Sequence, residues 1–154
     1  MLTLEYLDQV DSGFKISFFD KQMQNGYTIL KKKIDGMLAF SDGILALILV
    51  DDKEMQHINN SHRGFNKPTD VVSLSYIEST LHPEEFPTGF EMAGEIFISL
   101  DTAKKQAKEK GHSLEQELKI LFIHGFLHVF GFDHETDEEE AEMEGWAKQI
   151  IEAA

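Results

Sequence analysis

The 154-residue chain contains no cysteine, only three prolines and a single arginine, and its formal net charge is −14 at neutral pH. Without cysteine the chain can form neither disulfides nor thiolate metal sites, which fits a reducing compartment. No apolar run approaches the roughly 18 residues of a membrane span, and the N-terminus lacks the basic start of a signal peptide. We therefore expect one cytoplasmic domain spanning residues 1–154, without a membrane partner.

The acidic charge argues against a general nucleic-acid binder, because phosphate backbones are repelled at long range. Locally the charge differs: the lysines at 31–33 and 104–110 form short basic segments. Such segments could guide a nucleic-acid backbone, although a lysine-rich helix face is usually only solvated. A basic cleft on an acidic protein therefore stays possible.

Hydrophobic periodicity predicts a mixture of strands and helices. The apolar run GILALILV at 43–50 predicts a buried strand. Shorter patterns predict three further strands, at 1–7, 70–77 and 94–100. Helical spacing and capping residues predict five helices, at 22–41, 51–62, 102–110, 114–130 and 137–152. Asp101 and Ser113 are the expected N-caps, and 78–92 is an expected loop. The predicted fold class is α+β, with a single mixed sheet of about four strands covered by helices.

Three histidines lie in the otherwise apolar segment HGFLHVFGFDH at 124–134. His124 and His128 are one helical turn apart on one face, and Gly131 can end the helix so that the chain returns His134. A single histidine here would ordinarily be a hydrogen-bonded core residue. An unpaired buried polar group costs about 1–3 kcal/mol, so three histidines at this spacing predict a shared metal ion. Three nitrogen ligands leave a position open to water, as in catalytic zinc sites.

The same histidine spacing occurs in the metzincin metallopeptidases, which carry glutamate after the first histidine as the general base. Here that position is Gly125, which cannot accept a proton. The sequence therefore predicts the metal site without the usual peptidase base. A zinc metallopeptidase stays open only as an alternative.

The second informative segment, NNSHRGFNKPTDVVSLSY at 59–76, contains the only arginine of the chain. Arginine binds phosphate groups bidentately and stays charged at any working pH. Arg63 therefore indicates a phosphate-bearing substrate, although a salt bridge with one of the 28 acidic residues explains it equally well on its own. Pro68, Thr69 and Asp70 then lead into a strand whose edge could face a substrate cleft.

Together these segments resemble the YbeY family of bacterial endoribonucleases. Residues 124–134 match the family's His-Gly-x-x-His-x-x-Gly-x-Asp-His motif throughout. The segment from Arg63 to Ser73 resembles its upstream block, and 94–103 resembles its Gly-Asp-Ile strand. The resemblance covers roughly residues 43–135. It implies a zincin-like fold, cleavage of single-stranded RNA, and work on the small ribosomal subunit in rRNA 3′-end maturation and quality control.

The resemblance also implies roles for individual residues. One divalent ion per chain, Zn²⁺, would be bound by His124, His128 and His134. Arg63 would act in catalysis, and the substrate would be bound by Arg63, Lys67, Thr69 and Ser73. The candidates for a general base, or for holding a ligand histidine, are Asp133, Glu95 and Asp70. A non-catalytic, ribosome-associated zinc protein is the second alternative, although an open coordination position argues against it.

Overall fold

The computed structural model describes residues 1–38, 42–77 and 90–153, and within them the chain forms one four-stranded sheet and six helices. In chain order the elements are β1 (Leu2–Asp8), α1 (Ile16–Ile29), α2 (Lys31–Met37), β2 (Asp42–Val50), α3 (Asp52–Arg63), β3 (Val71–Ser75), β4 (Phe90–Ser99), α4 (Leu100–Lys110), α5 (Leu114–Val129) and α6 (Asp137–Glu152). The expected α+β class is confirmed. Over these same ranges, no helix combines the length and apolar character that crossing a bilayer requires.

The strand order is β1-β2-β4-β3, and the sheet is mixed. β2 pairs in parallel with both β1 and β4, whereas β3 pairs antiparallel with β4 at the edge. Residues 45–50 of β2 are all buried, because a central parallel strand is covered on both faces. This is why the predicted run at 43–50 is continuously apolar rather than alternating.

The larger core lies between the sheet and the helices α1 and α5. Its fully buried side chains include four phenylalanines, Phe19, Phe122, Phe126 and Phe130. α1 and α5 approach so closely that a β-carbon on Gly26 would lie 2.7 Å from Phe126 Cε1. The opposite face of the sheet carries a smaller cluster, in which Met55 and Ile58 of α3 pack on β2. α5 is thus enclosed by the sheet and by other helices, which makes it a rigid support for its side chains.

The helix predicted over 22–41 is wrong in its bounds. Two helices occupy the region, one beginning at Ile16 and the other ending at Met37. The backbone leaves helical geometry at Leu30, where φ is −108° and ψ is 20°. The last predicted residues, 39–41, lie outside the described residues.

The predicted N-cap at Asp101 is also wrong. α4 begins two residues earlier than that cap requires, at Leu100, and Ser99 is its N-cap. The Ser99 Oγ accepts a hydrogen bond from the Thr102 backbone N–H at 3.3 Å. Serine can cap a helix as well as aspartate does, so residue type alone does not decide between Ser99 and Asp101.

The N-cap predicted at Ser113 is confirmed, because its Oγ accepts a hydrogen bond from the Gln116 N–H at 3.1 Å. Most of the loop expected over 78–92 lies outside the described residues, which omit 78–89. Residues 90–92 belong to β4 instead. The strand is therefore longer than its apolar pattern predicts.

Candidate metal centre

α5 presents His124 and His128 on one face, with their ring centroids 5.1 Å apart. Most other side chains in this half of the helix are buried, while both histidines are only half-buried. The backbone of Gly125 packs directly on β4, because a β-carbon there would lie 2.9 Å from Ile96 Cγ2. This contact fixes the rotation of the helix. It also leaves no room at position 125 for the glutamate of a metzincin peptidase.

A tight turn after α5 carries the third histidine back to the first two. Gly131 has a φ of 93°, a left-handed conformation that favours glycine. The Gly131 N–H donates to the His128 carbonyl at 3.1 Å, and the Phe132 N–H donates to the Leu127 carbonyl at 3.0 Å. These two bonds form a Schellman motif, a common way to end a helix. His134 follows the turn directly.

Phe132 anchors this turn in the core. It is 7% exposed, and its ring packs against Trp146 of α6 with centroids 6.4 Å apart. The His134 ring then lies 5.7 Å from that of His124 and 5.0 Å from that of His128. Packing in the core, and not chain direction alone, therefore sets the position of the third histidine.

The three histidines form a group that could hold a metal ion. Their candidate ligand nitrogens all lie within 4.8 Å of one another, so small ring rotations would bring them to one ion at the usual Zn–N distance of about 2.0–2.1 Å. Burial lowers the pKa of His124, and neighbouring His128 and His134 lower it further. The pKa of His128 is also lowered, first by burial and then by the neighbouring His134. A lowered pKa favours the neutral form of both rings, which is the form that binds a metal. The donor set fits a divalent ion such as zinc.

Two carboxylates act electrostatically on these rings. The charge of Asp70 raises the pKa of His124, and that of Asp133 raises the pKa of His128, although burial outweighs both. A hydrogen bond between the His128 ring and the Phe132 backbone acts in the same direction. Such a bond holds a ligand imidazole in one tautomer and orientation. The Asp133 Oδ1 accepts the His134 backbone N–H at 2.8 Å, which stiffens the segment that carries the third ring.

The histidines line one side of a cleft of about 830 Å³. The sequence-predicted residues that also line it are Arg63, Thr69, Asp70, Ser73 and Asp133. Arg63 is the last residue of α3, which ends because Gly64 adopts a left-handed conformation with a φ of 74°. Ser73 lies on β3, and the neighbouring strand residue Ser75 donates a hydrogen bond to the Val129 carbonyl of α5 at 2.7 Å. The two predicted sequence blocks therefore meet in one cleft.

Two other predicted site residues do not line the described cleft. Lys67 is exposed, and its Nζ lies 5.8 Å from the centroid of the Phe65 ring. Glu95 precedes Ile96, which packs on α5, and successive strand residues face opposite sides of a sheet. Glu95 therefore faces away from the histidines. It accepts a hydrogen bond from the Tyr76 hydroxyl, and burial together with this bond raises the pKa of Tyr76 to about 12.

Two further charged residues line the cleft, Lys110 and Glu144. Sequence reasoning noted Lys110 only as part of the basic segment at 104–110, and it missed Glu144. The Lys110 Nζ lies 3.2 Å from an oxygen of the fully buried Glu117, whose other oxygen lies 2.6 Å from His112 Nε2. Glu144 also borders a smaller hollow of about 180 Å³ beside His124 and His134. The buried Met143, next to Glu144, could have indicated that this side of α6 faces the core. The many acidic residues around Met143 make its apolar character hard to recognise in the sequence.

Comparison with known proteins adds independent information. The sequence model of a family described as "Endoribonuclease YbeY" matches residues 11–154. The chain is 37% identical to "Endoribonuclease YbeY" of Streptococcus suis (strain 98HAH33) over 161 residues, and 36% identical to that of Streptococcus pneumoniae (strain CGSP14). Each alignment covers 96% of both proteins.

The fold is similar to the solution structure of TM1509 from Thermotoga maritima, with a TM-score of 0.58. The match covers 96% of this chain and 88% of that one, at 24% sequence identity. It supports the sheet and helix arrangement described above, and at this identity it carries no information about activity.

Proposed function

Because this chain belongs to the endoribonuclease YbeY family, we propose that it hydrolyses phosphodiester bonds of single-stranded ribosomal RNA at a divalent metal ion held by His124, His128 and His134. The ion we propose is Zn²⁺, one per chain. One observation carries the proposal: three imidazoles converge in a single cleft that is also lined by the only arginine of the chain. A metal site that shares its cleft with a guanidinium suits a phosphodiester substrate.

Arg63 is the proposed catalytic cation. Bound at the three imidazoles, Zn²⁺ would supply Lewis acidity and an activated water. As water attacks phosphorus, negative charge grows on the phosphoryl oxygens, and a guanidinium can donate two hydrogen bonds to them. Arg63 lines the same cleft as the histidines, so it is suited to this role. Thr69 and Ser73 would donate hydroxyl hydrogen bonds to the RNA backbone, and Lys67 would contact a phosphate just outside the cleft.

Asp70 is the proposed general base. It lines the cleft, and its charge acts on the pKa of His124, which supports a position near the attacking water. Asp133 already accepts the His134 backbone N–H, so we assign it to holding the ligand segment. Glu95 is not proposed for either role, because it faces the other side of the sheet.

The setting we propose is the cytoplasm, with the small ribosomal subunit as partner and the 3′ end of its rRNA as substrate. Its support is family membership and the lack of cysteine. A chain with a net charge of −14 gains little from long-range attraction to RNA. Delivery of a single strand by the ribosome would remove the need for such attraction.

The two alternatives are not favoured. A metzincin-like peptidase needs a glutamate where Gly125 packs on Ile96, and a peptide substrate would leave Arg63 without a task. A purely structural zinc protein would be expected to close its site with four protein ligands. Among the described residues, the group that could hold a metal contains three.

Cleavage of a labelled single-stranded fragment of rRNA 3′-end sequence tests the proposal. Purified protein should cut it, a chelator should abolish cutting, and added Zn²⁺ should restore it. His128→Ala should be inactive, whereas His57→Ala, which alters an exposed histidine of α3, should behave as wild type. Arg63→Ala should lower kcat about 100-fold, and Arg63→Lys should recover only part of the loss because lysine cannot bind bidentately. Equal cutting by all preparations would point to a contaminating nuclease and sink the proposal.

A further inference from the structure

Phe65 is exposed, although phenylalanine side chains are usually buried in the core. It is 52% exposed and lies just after α3, next to Gly64. Among the described residues with strongly exposed, large apolar side chains, it is the only aromatic one. A half-exposed phenylalanine loses favourable burial, so its position calls for an explanation.

Two cations flank the ring. The Arg63 guanidinium carbon lies 5.7 Å from the ring centroid and the Lys67 Nζ lies 5.8 Å from it. Both distances are within the range of cation–π attraction. The ring is nonetheless 52% exposed, so a flat ligand can still reach part of its surface.

The loop that carries Phe65 is held from below by polar side chains of α3. Asn59 is 1% exposed, and its Nδ2 donates to the Lys67 carbonyl at 2.9 Å. Gln56 Nε2 donates to Asn66 Oδ1 at 3.1 Å. These bonds hold the chain directly after Phe65. Phe65 is thus kept apart from the apolar cluster on the neighbouring side of the sheet, and its exposed position is built into the loop.

Arg63 links the ring to the proposed reaction centre. Arg63, two residues before it, lines the cleft that contains the histidines. A polynucleotide whose phosphate meets Arg63 must place its neighbouring nucleosides close to this loop. An aromatic ring between two cations combines a surface for a base with charges for the adjoining phosphates, which is the usual composition of a single-strand site.

We propose that Phe65 is a stacking platform for an unpaired base next to the phosphodiester that is cut, with Arg63 and Lys67 on the adjoining phosphates. The inference rests on the proposed function and extends it to specificity. A base inside a duplex has both faces stacked on its neighbours, so only a single strand can offer one to Phe65. Stacking needs no net positive charge, which explains how an acidic chain can hold RNA. It also accepts any base, so the platform selects strandedness and not sequence.

Steady-state cleavage by three variants tests the platform. Phe65→Ala should raise the KM for the single-stranded fragment about 10-fold with little change in kcat, because a lost base–aromatic stack weakens binding by about that factor. Phe65→Tyr keeps a ring and should stay close to wild type. Phe65→Leu keeps apolar bulk but no ring, and should resemble Phe65→Ala. All three should unfold at the wild-type temperature, since the side chain is half exposed.

A fluorescence experiment reads the contact directly. Phe65→Trp is placed in the inactive His128→Ala protein and titrated with the single-stranded fragment and with its blunt duplex. The single strand should quench the new tryptophan, and the duplex should leave it unchanged. His128→Ala alone gives the background from Trp146, the only native tryptophan.

The two hypotheses fail differently. If wild type cuts no RNA, the proposed function fails. If wild type cuts and Phe65→Ala has the wild-type KM, the stacking inference alone is overturned. Equal KM values for Phe65→Leu and wild type, or no quenching by the single strand, also overturn it.

Discussion

The backbone of Gly125 in α5 lies so close to Ile96 in β4 that a β-carbon on residue 125 would approach Ile96 Cγ2 to 2.9 Å. The contact joins the helix that carries two of the site histidines to the sheet that carries the opposite wall. Distances across the cleft therefore depend on the absence of a single methyl group.

Gly125→Ala should destabilise the protein by about 1–3 kcal/mol, because the added methyl overpacks a tight contact. Alanine's higher helix propensity, worth about 1 kcal/mol, should offset only part of this. Urea unfolding gives the difference. Gly145→Ala in α6 is the matched control, since a β-carbon there meets nothing within 4 Å, and it should be neutral or stabilising.

A double mutant tests whether the cause is contact with Ile96. Ile96→Ala alone should destabilise by about 2–5 kcal/mol through the cavity that it leaves. Combined with Gly125→Ala, the cost should be smaller than the two single costs together. Strict additivity would show that the added methyl meets a different obstacle.

His128→Ala should abolish stoichiometric zinc binding. Wild type should hold one ion per chain and gain stability from it, about 2.7 kcal/mol when free zinc is 100 times the dissociation constant. Elemental analysis and thermal melts with and without zinc measure both effects. His57→Ala should keep the ion and the zinc-dependent rise in melting temperature. Full zinc content in His128→Ala would show that the ion binds elsewhere.

Tyr76 should ionise far above the ordinary range, because burial and its hydrogen bond to Glu95 raise its pKa to about 12. A folded-state pKa above the unfolded value of about 10 contributes stability that is complete below pH 10. That contribution is lost as pH rises towards 12. Ultraviolet titration follows the ionisation of tyrosines. The wild-type curve should contain one tyrosine that ionises at high pH and is missing from the Tyr76→Phe curve. A Tyr76 that titrates near pH 10 would contradict the buried contact.

His112→Ala should destabilise the protein by about 1–3 kcal/mol, because it leaves Glu117, a fully buried carboxylate, with one partner fewer. Adding Glu117→Gln should recover part of the loss, since a neutral amide is cheaper to bury unpaired. Urea unfolding of the two proteins gives the comparison. If the double mutant is the less stable one, the charge of Glu117 is not the source of the effect.

Local signals account for what the sequence predicted well. The central strand β2 shows as a continuous apolar run, and Ser113 caps α5 through a bond to a residue three positions on. The histidine motif combines helical spacing with a turn glycine, so the convergence of His124, His128 and His134 follows from short-range geometry. Each of these features is encoded within about a dozen consecutive residues.

Features that depend on distant residues were missed. α1 begins after Lys15, which makes no side-chain cap bond, so nothing local marks its start. Its end at Leu30 involves neither glycine nor proline. Glu144 and Lys110 reach the cleft only because α6 and the α4–α5 junction pack beside α5. The face of the sheet that Glu95 occupies depends on which residues of β4 pack against α5. Tertiary packing decides all of these.

The strand order also sets when the histidines can meet as the chain folds. Leu2 pairs opposite Gly43 and Leu45 opposite Gly94, so the central pairings join residues far apart in sequence. Such pairings form slowly, because the entropy cost of closing a long loop comes before the contacts can stabilise the chain. α5 needs β4 beneath it before its histidines take their final places. Zinc uptake during refolding should therefore follow sheet formation, and its rate should report the completion of the slowest long-range pairing.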